Sequence, residues 1–187
     1  MATDQDRSYA RELVASDASP SVGFGVVPAR CTSELSRTVG NLAERRGDFV
    51  RLFPEAGDPR RRDRIGRPFH LGLSKKSLRL IICKKAKWMA HSSVLEAHGY
   101  LLAVRWSVRT KRLHHTRSPY LLDAKAILAA AAKGRSSARA IARNFRCTGA
   151  LQLAANILPR HVYVPSEDMS ADEPSRGIRH RRQPVGA

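Results

Sequence analysis

A chain of 187 residues, 42% of them apolar, is long enough to bury a core as one domain. Its 34 Lys and Arg against 16 Asp and Glu leave a net charge of +18 and a pI near 11.1, and 26 of the basic residues are Arg. Guanidinium forks suit phosphate oxygens, so the balance points to a nucleic-acid partner, with an Arg-rich codon bias as the bland alternative. No apolar run is long enough to span a bilayer, so no membrane partner is expected, and the first residues lack a secretory pattern. That implies an intracellular protein, cytoplasmic or nuclear. Cys31, Cys83 and Cys147 are odd in number and without CxxC spacing, which argues for reduced thiols rather than disulfides or zinc.

In chain order, residues 1–10 are polar and read as a frayed tail. Residues 13–27 read as strand, tight turn and strand, with Asp17 where the first strand leaves the core. An Asp beside Ser, Pro and Ser is ordinarily a turn-former. Residues 32–53 carry apolar side chains at roughly helical spacing behind Ser33 as N-cap. Residues 54–77 are rich in Gly, Pro and Arg and read as a flexible basic connection. A strand follows at 78–83, then a basic turn with Lys84, Lys85 and Lys87.

The next helix, about 93–108, is apolar over most of its circumference and should be largely buried. Ser93 and Glu96 have capping-box spacing, which is the structural explanation for Glu96. Residues 120–123 read as a short strand entering a helix over 124–133 that ends at Gly134, with Asp123 as an ordinary N-cap. Residues 136–157 form one or two more helices, stopped by Pro159. Arg135, Arg139, Arg143 and Arg146 make a basic face there. A last strand spans 161–164, and residues 178–187 are a basic tail. The order β-β-(α)-β-α-β-α-α-β-α implies a mixed sheet flanked by helices, antiparallel at its start and parallel later.

Between Arg64 and Ser166 there are 20 Lys and Arg but only two acids, Glu96 and Asp123, each inside an apolar segment. A buried carboxylate is costly unless paired or metal-bound. Asp17 and Asp123 both fall at strand carboxyl ends, where functional groups gather in such sheets. Glu96 begins the helix leading to the second of these strands, and Asp172 follows the last one. Converging carboxylates repel one another unless cations intervene. Two Mg²⁺ ions roughly 3.5–4 Å apart would relieve this and activate water against a phosphodiester.

Ser16-Asp17-Ala18-Ser19 with Gly23-Phe24-Gly25, then Leu95-Glu96-Ala97, Leu121-Leu122-Asp123-Ala124 and Ala171-Asp172-Glu173-Pro174-Ser175-Arg176 carry a family resemblance. Together they resemble the ribonuclease H domain of retrotransposon polyproteins, in the manner of gypsy-like and DIRS-like elements, over about residues 11–177. The closing run is the most specific part and Leu-Glu-Ala the least.

The resemblance implies an α/β, ribonuclease H-like fold: a five-stranded mixed sheet with helices on both faces. It implies a catalytic metal site of Asp17, Glu96, Asp123 and Asp172 that holds two Mg²⁺ or Mn²⁺ ions. The implied activity is hydrolysis of the RNA strand of RNA–DNA hybrids. Lys84, Lys85, Lys87, Arg135, Arg139, Arg143 and Arg146 are the expected backbone contacts, with an ordinary solvated surface as their alternative. Other domains of a retroelement polyprotein are further expected partners.

Two departures stand out. Met169-Ser170 replaces the family's Asn-Pro, and residues 165–171 lack the His that many cellular ribonucleases H carry after the last strand. The chain also has no Tyr-x-Asp-Asp polymerase motif. The alternative function is a catalytically inactive, basic nucleic-acid-binding remnant of such a polyprotein. The order Asp, Glu, Asp, Asp argues against an Asp-Asp-Glu integrase.

Overall fold

A computed structural model of the chain describes residues 7–43, 47–53, 66–73 and 75–179. Strands β1 (Glu12–Ala18) and β2 (Gly23–Arg30) form the hairpin, antiparallel from Glu12↔Arg30 to Ala18↔Phe24. On one side β2 pairs antiparallel with β5 (Ile82–Lys85). On the other, β1 pairs in parallel with β6 (Arg117–Leu122), and β6 with β7 (Leu158–Tyr163). The result is a five-stranded mixed sheet in the order β5-β2-β1-β6-β7, with helices on both faces, a ribonuclease H-like α/β fold. A separate two-stranded parallel sheet joins β3 (Phe49–Arg51) to β4 (Pro68–His70). Among the described residues no helix is long and apolar enough to cross a membrane.

The period-two alternation of strands sorts the apolar residues into two cores. Leu13, Ala15, Val27, Ala29, Leu121 and Val162 face α1 (Ser33–Leu42) and the small sheet, meeting Val39, Leu42, Val50 and Leu52. Val14, Val26, Tyr120 and Leu122 face the opposite way. They meet α2 (Ser92–Arg109), α3 (Lys125–Lys133) and α4 (Arg139–Ala154) through Ala97, Tyr100, Val104, Ile127 and Phe145. Burying both faces of the central strand explains why β1 is buried along its whole length.

Several boundaries differ from those expected, each for a local reason. Tyr9 and Ala10 are buried and hydrogen-bonded toward Arg117, so the fold begins before residue 11. The helix expected over 32–53 stops at Leu42, and its cap is Thr32, whose hydroxyl accepts from the Leu35 amide at 3.1 Å. Gly47 is in the left-handed region at φ 90°, and Phe49–Arg51 then runs as strand β3. Of the connection expected over 54–77, residues 54–65 and 74 lie outside the described residues; the remainder holds β4 and a turn of 3₁₀-helix, Lys75–Ser77. The tail from residue 180 onward also lies outside them.

The strand expected at 78–83 is shifted to Ile82–Lys85, which takes Lys84 and Lys85 out of a turn and onto an edge strand. Pro28 explains the shift. Its carbonyl accepts from the Arg79 amide at 2.9 Å, but it has no N–H to return, so the ladder to β2 is regular only further along. Pro159, expected to stop the preceding helix, lies inside β7, an edge strand where a missing N–H is tolerated. Helix α4 ends instead at Ala154, and Asn156 turns the chain at φ 53°.

At the centre of the second core, Tyr100 Oη lies 2.7 Å from His161 Nε2, and the Gln152 side-chain amide donates to the same oxygen at 2.8 Å. Burial pushes the His161 imidazole down to about 4. Because the folded value is depressed, the neutral ring's contribution is fully present above the unfolded pKa near 6.5 and is lost as pH falls toward 4. The protein should therefore lose about 3 kcal/mol through this group between those limits. The difference in urea stability between the protein and His161→Gln, measured across that range, should show the loss.

Candidate metal centre

The register of β1 with β6 sets the site. Val14↔Tyr120 and Ala15↔Leu121, continued two residues, bring Asp17 level with Asp123, which lies one residue past the end of β6. Helix α2 delivers the third acid. Its Gly99 packs so near the end of β1 that a Cβ there would lie 3.2 Å from the Asp17 carbonyl oxygen, and Glu96 stands one turn earlier on the same helix. Each of Asp17, Glu96 and Asp123 offers a carboxylate oxygen, and these three atoms lie within 4.8 Å of one another. Asp17 is buried; the other two are half-buried.

The local capping explanations do not hold for two of the acids. The N-cap of α2 is His91, whose Nδ1 accepts from the Ser93 amide at 3.2 Å, so Glu96 has no capping duty. The N-cap of α3 is Ala124, and Asp123 precedes it.

Crowding and burial act together on their ionisation. Burial, then the Asp17 and Asp123 charges, pushes the Glu96 carboxyl up to about 9, against a partial offset from the Ala18 amide. Burial likewise lifts Asp17 to about 6, with the Asp123 and Asp172 charges adding to it and the Ser175 hydroxyl and Ala18 amide opposing it. Asp123 is raised by burial first and by the Asp172 charge, while the Ser166 hydroxyl and nearby amides pull it down. Three oxygen donors that resist ionising beside one another form a site suited to a hard divalent cation. Asp17, Glu96 and Asp123 could hold such an ion.

Asp172, expected as the fourth ligand, lies outside this group of three. It begins a short helix, α5 (Asp172–Ser175), and its Oδ1 accepts from Arg176 Nε at 2.9 Å. The one-turn spacing of acid and guanidinium favours that pairing. Its charge still reaches Asp17 and Asp123. Gly25, the partner of Asp17 across the hairpin, makes room for α5. A Cβ there would lie 2.3 Å from the Ala171 carbonyl oxygen and 2.8 Å from the Ser175 nitrogen. Gly23 similarly admits the backbone of Lys84.

Three further residues, none among the expected site residues, support the acids. Ser166 and Ser175 set hydroxyls against Asp123 and Asp17. Ser175 falls within the quoted Pro-Ser-Arg run, so a signal for it existed. Arg51 had none. From the small sheet, its Nε lies 2.8 Å from Asp168 Oδ2 and its Nη1 donates to Glu167 Oε1 at 3.1 Å, with Arg51 and Asp168 both buried. These acids belong to the 3₁₀ turn Ser166–Asp168, so the pair fastens the segment that presents Ser166 to Asp123. The expected nucleic-acid contacts Lys84, Lys85, Lys87, Arg135, Arg139, Arg143 and Arg146 are all exposed.

Two outcomes follow from this geometry. Because the Glu96 and Asp17 carboxyls are raised, the stability they contribute to the ion-free protein is fully present below their unfolded pKa values near 4. That contribution is lost as pH rises through about 6 and about 9. Mn²⁺ or Mg²⁺ should raise Tm, more at pH 8 than at pH 6, and Glu96→Gln should raise the ion-free Tm while removing the response; differential scanning fluorimetry reads both. Arg51→Met should leave Asp168 buried without that guanidinium, costing about 3–5 kcal/mol by urea denaturation, and should weaken Mn²⁺ binding measured calorimetrically.

No family model, curated protein or solved structure matches the chain. Its functional reading therefore rests on its own residues.

Proposed function

We propose that the protein is a metal-dependent ribonuclease H of retroelement origin, an endonuclease that hydrolyses the RNA strand of RNA–DNA hybrids. The observation that carries this reading is the meeting of Asp17, Glu96 and Asp123 within 4.8 Å at the carboxyl end of parallel strands, in a chain of net charge +18. Glu96 and Asp123 are the only acids between Arg64 and Ser166, and both converge with Asp17 on one edge.

These carboxylates would hold two Mg²⁺ or Mn²⁺ ions. When bound, such ions lower the pKa of a water and neutralise charge developing on the phosphodiester. The chain's own residues supply the rest. Ser175 and Ser166 hold the Asp17 and Asp123 carboxylates in place and favour their ionised forms. The Ala18 amide does the same for Glu96 and Asp17. Lys84 and Lys85 on β5 with Lys87 just after it, and Arg139, Arg143 and Arg146 on α4 with Arg135 just before it, are exposed to hold backbone phosphates. The 2′-hydroxyls of the hybrid would distinguish the strand to be cut.

A second reading, a nucleic-acid binder without catalysis, is favoured by one observation: Asp172 Oδ1 accepts from Arg176, and Asp172 lies outside the group of three acids. The two readings separate cleanly. With Mg²⁺ or Mn²⁺ the purified protein should nick the RNA of an end-labelled hybrid, and Asp17→Asn or Asp123→Asn should reduce the rate by at least about 10³-fold. Full cleavage by both variants would sink the nuclease reading. Salt-sensitive hybrid binding with no cleavage in either ion would establish the second.

A further inference from the structure

The loop between β5 and α2 exposes two consecutive apolar side chains, Trp88 (45% exposed) and Met89 (98%). Isolated exposed apolar residues are ordinary. Trp88 differs because its ring is fixed while much of its surface stays open. It meets His98 edge-on, with centroids 4.9 Å apart and planes at 88°, and it lies 6.0 Å from the Phe24 ring. Phe24 and His98 also contact each other at 5.0 Å, closing a three-ring cluster.

The charged side chains of this stretch itself are all basic. Lys84, Lys85 and Lys87 are exposed on the same stretch, and Arg179 reaches it by donating to the Cys83 carbonyl at 3.0 Å. From Arg64 to Leu95 the sequence has no Asp or Glu. The platform also adjoins the carboxylates through the backbone. His98 is two residues beyond Glu96, and Phe24 pairs with Ala18, the residue after Asp17.

We propose that Trp88 is a stacking platform for an unpaired nucleobase, with Lys84, Lys85 and Lys87 holding the phosphates of the same single strand. A base inside a duplex has both faces covered by its neighbours, so an open indole selects a single-stranded segment, such as one flanking a hybrid at the carboxylate edge. A ring already ordered by Phe24 and His98 gives up little freedom on binding. The inference concerns binding and does not require that the site cleave.

The test uses the full chain in EDTA, so hydrolysis plays no part. The protein has two tryptophans, Trp88 and the half-buried Trp106. Titration with short oligothymidylate should quench the indole fluorescence, whereas a blunt-ended RNA–DNA hybrid of equal length should not. Trp88→Ala should weaken single-strand binding about tenfold or more and leave hybrid binding nearly unchanged. Replacing Lys84, Lys85 and Lys87 together by Gln should reduce the salt slope for single strands by about 2.

Should Trp88→Ala not fold, Trp106→Phe leaves Trp88 as the only tryptophan and the quench is read with the platform intact. Unchanged oligothymidylate affinity in a folded Trp88→Ala would overturn the proposal. So would equal quenching by the blunt hybrid, or no quenching in Trp106→Phe. Loss of cleavage in the wild type, with this quench retained, would count against the nuclease reading alone.

Discussion

Three carboxylates forced within 4.8 Å of one another in a partly dehydrated corner form the constraint around which the fold is arranged. Left to themselves they would splay into water or take up protons. They stay together because each is fixed by something larger than itself. The parallel register of β1 and β6 holds Asp17 level with Asp123, and the close approach of α2 at Gly99 brings Glu96 alongside. Hydroxyls of Ser166 and Ser175 and the Ala18 amide offset part of the cost but leave Glu96 raised to about 9. Such a cost, retained at that edge, would be relieved by protonation or by a bound cation.

Packing details elsewhere make sense in that light. Gly25 opposes Asp17 and has no Cβ, so α5 can lie against the hairpin and bring Ser175 to the acid. The small β3-β4 sheet is remote from the carboxylates in sequence, yet Arg51 secures the turn that carries Ser166. The buried Arg51–Asp168 pair is poor evidence for net stability, since taking both charges out of water costs about what their attraction returns. It is better understood as fixing one conformation of that turn.

The acids were legible in the sequence because they are rare. Over a hundred residues rich in Arg and Lys, Glu96 and Asp123 are the only carboxylates, and apolar neighbours mark each as withdrawn from water. The mixed character of the sheet was legible too, since the hairpin implies an antiparallel start and the later strand-helix units a parallel remainder. What escaped was decided by tertiary contacts. A missing N–H at Pro28 shifted β5 by several residues, and the chain at Phe49 became a strand because it found β4 to pair with. Capping-box spacing at Ser93 and Glu96 suggested a local role that His91 in fact fills. Asp172 was read from its motif as a fourth ligand; it stands outside the group of three with its Oδ1 accepting from Arg176, and its charge still acts on Asp17 and Asp123.

The surrounding charge gives the acidic edge its context. In the proposed reading the net charge of +18 draws a polyanion toward the chain, and divalent cations at Asp17, Glu96 and Asp123 would sit between it and these acids. The most direct measurement is anomalous scattering from a crystal equilibrated with Mn²⁺. The account predicts a manganese peak bonded to oxygens of Asp17, Glu96 and Asp123 at about 2.0–2.3 Å. Saturating Mn²⁺ with no peak among these three residues would contradict it.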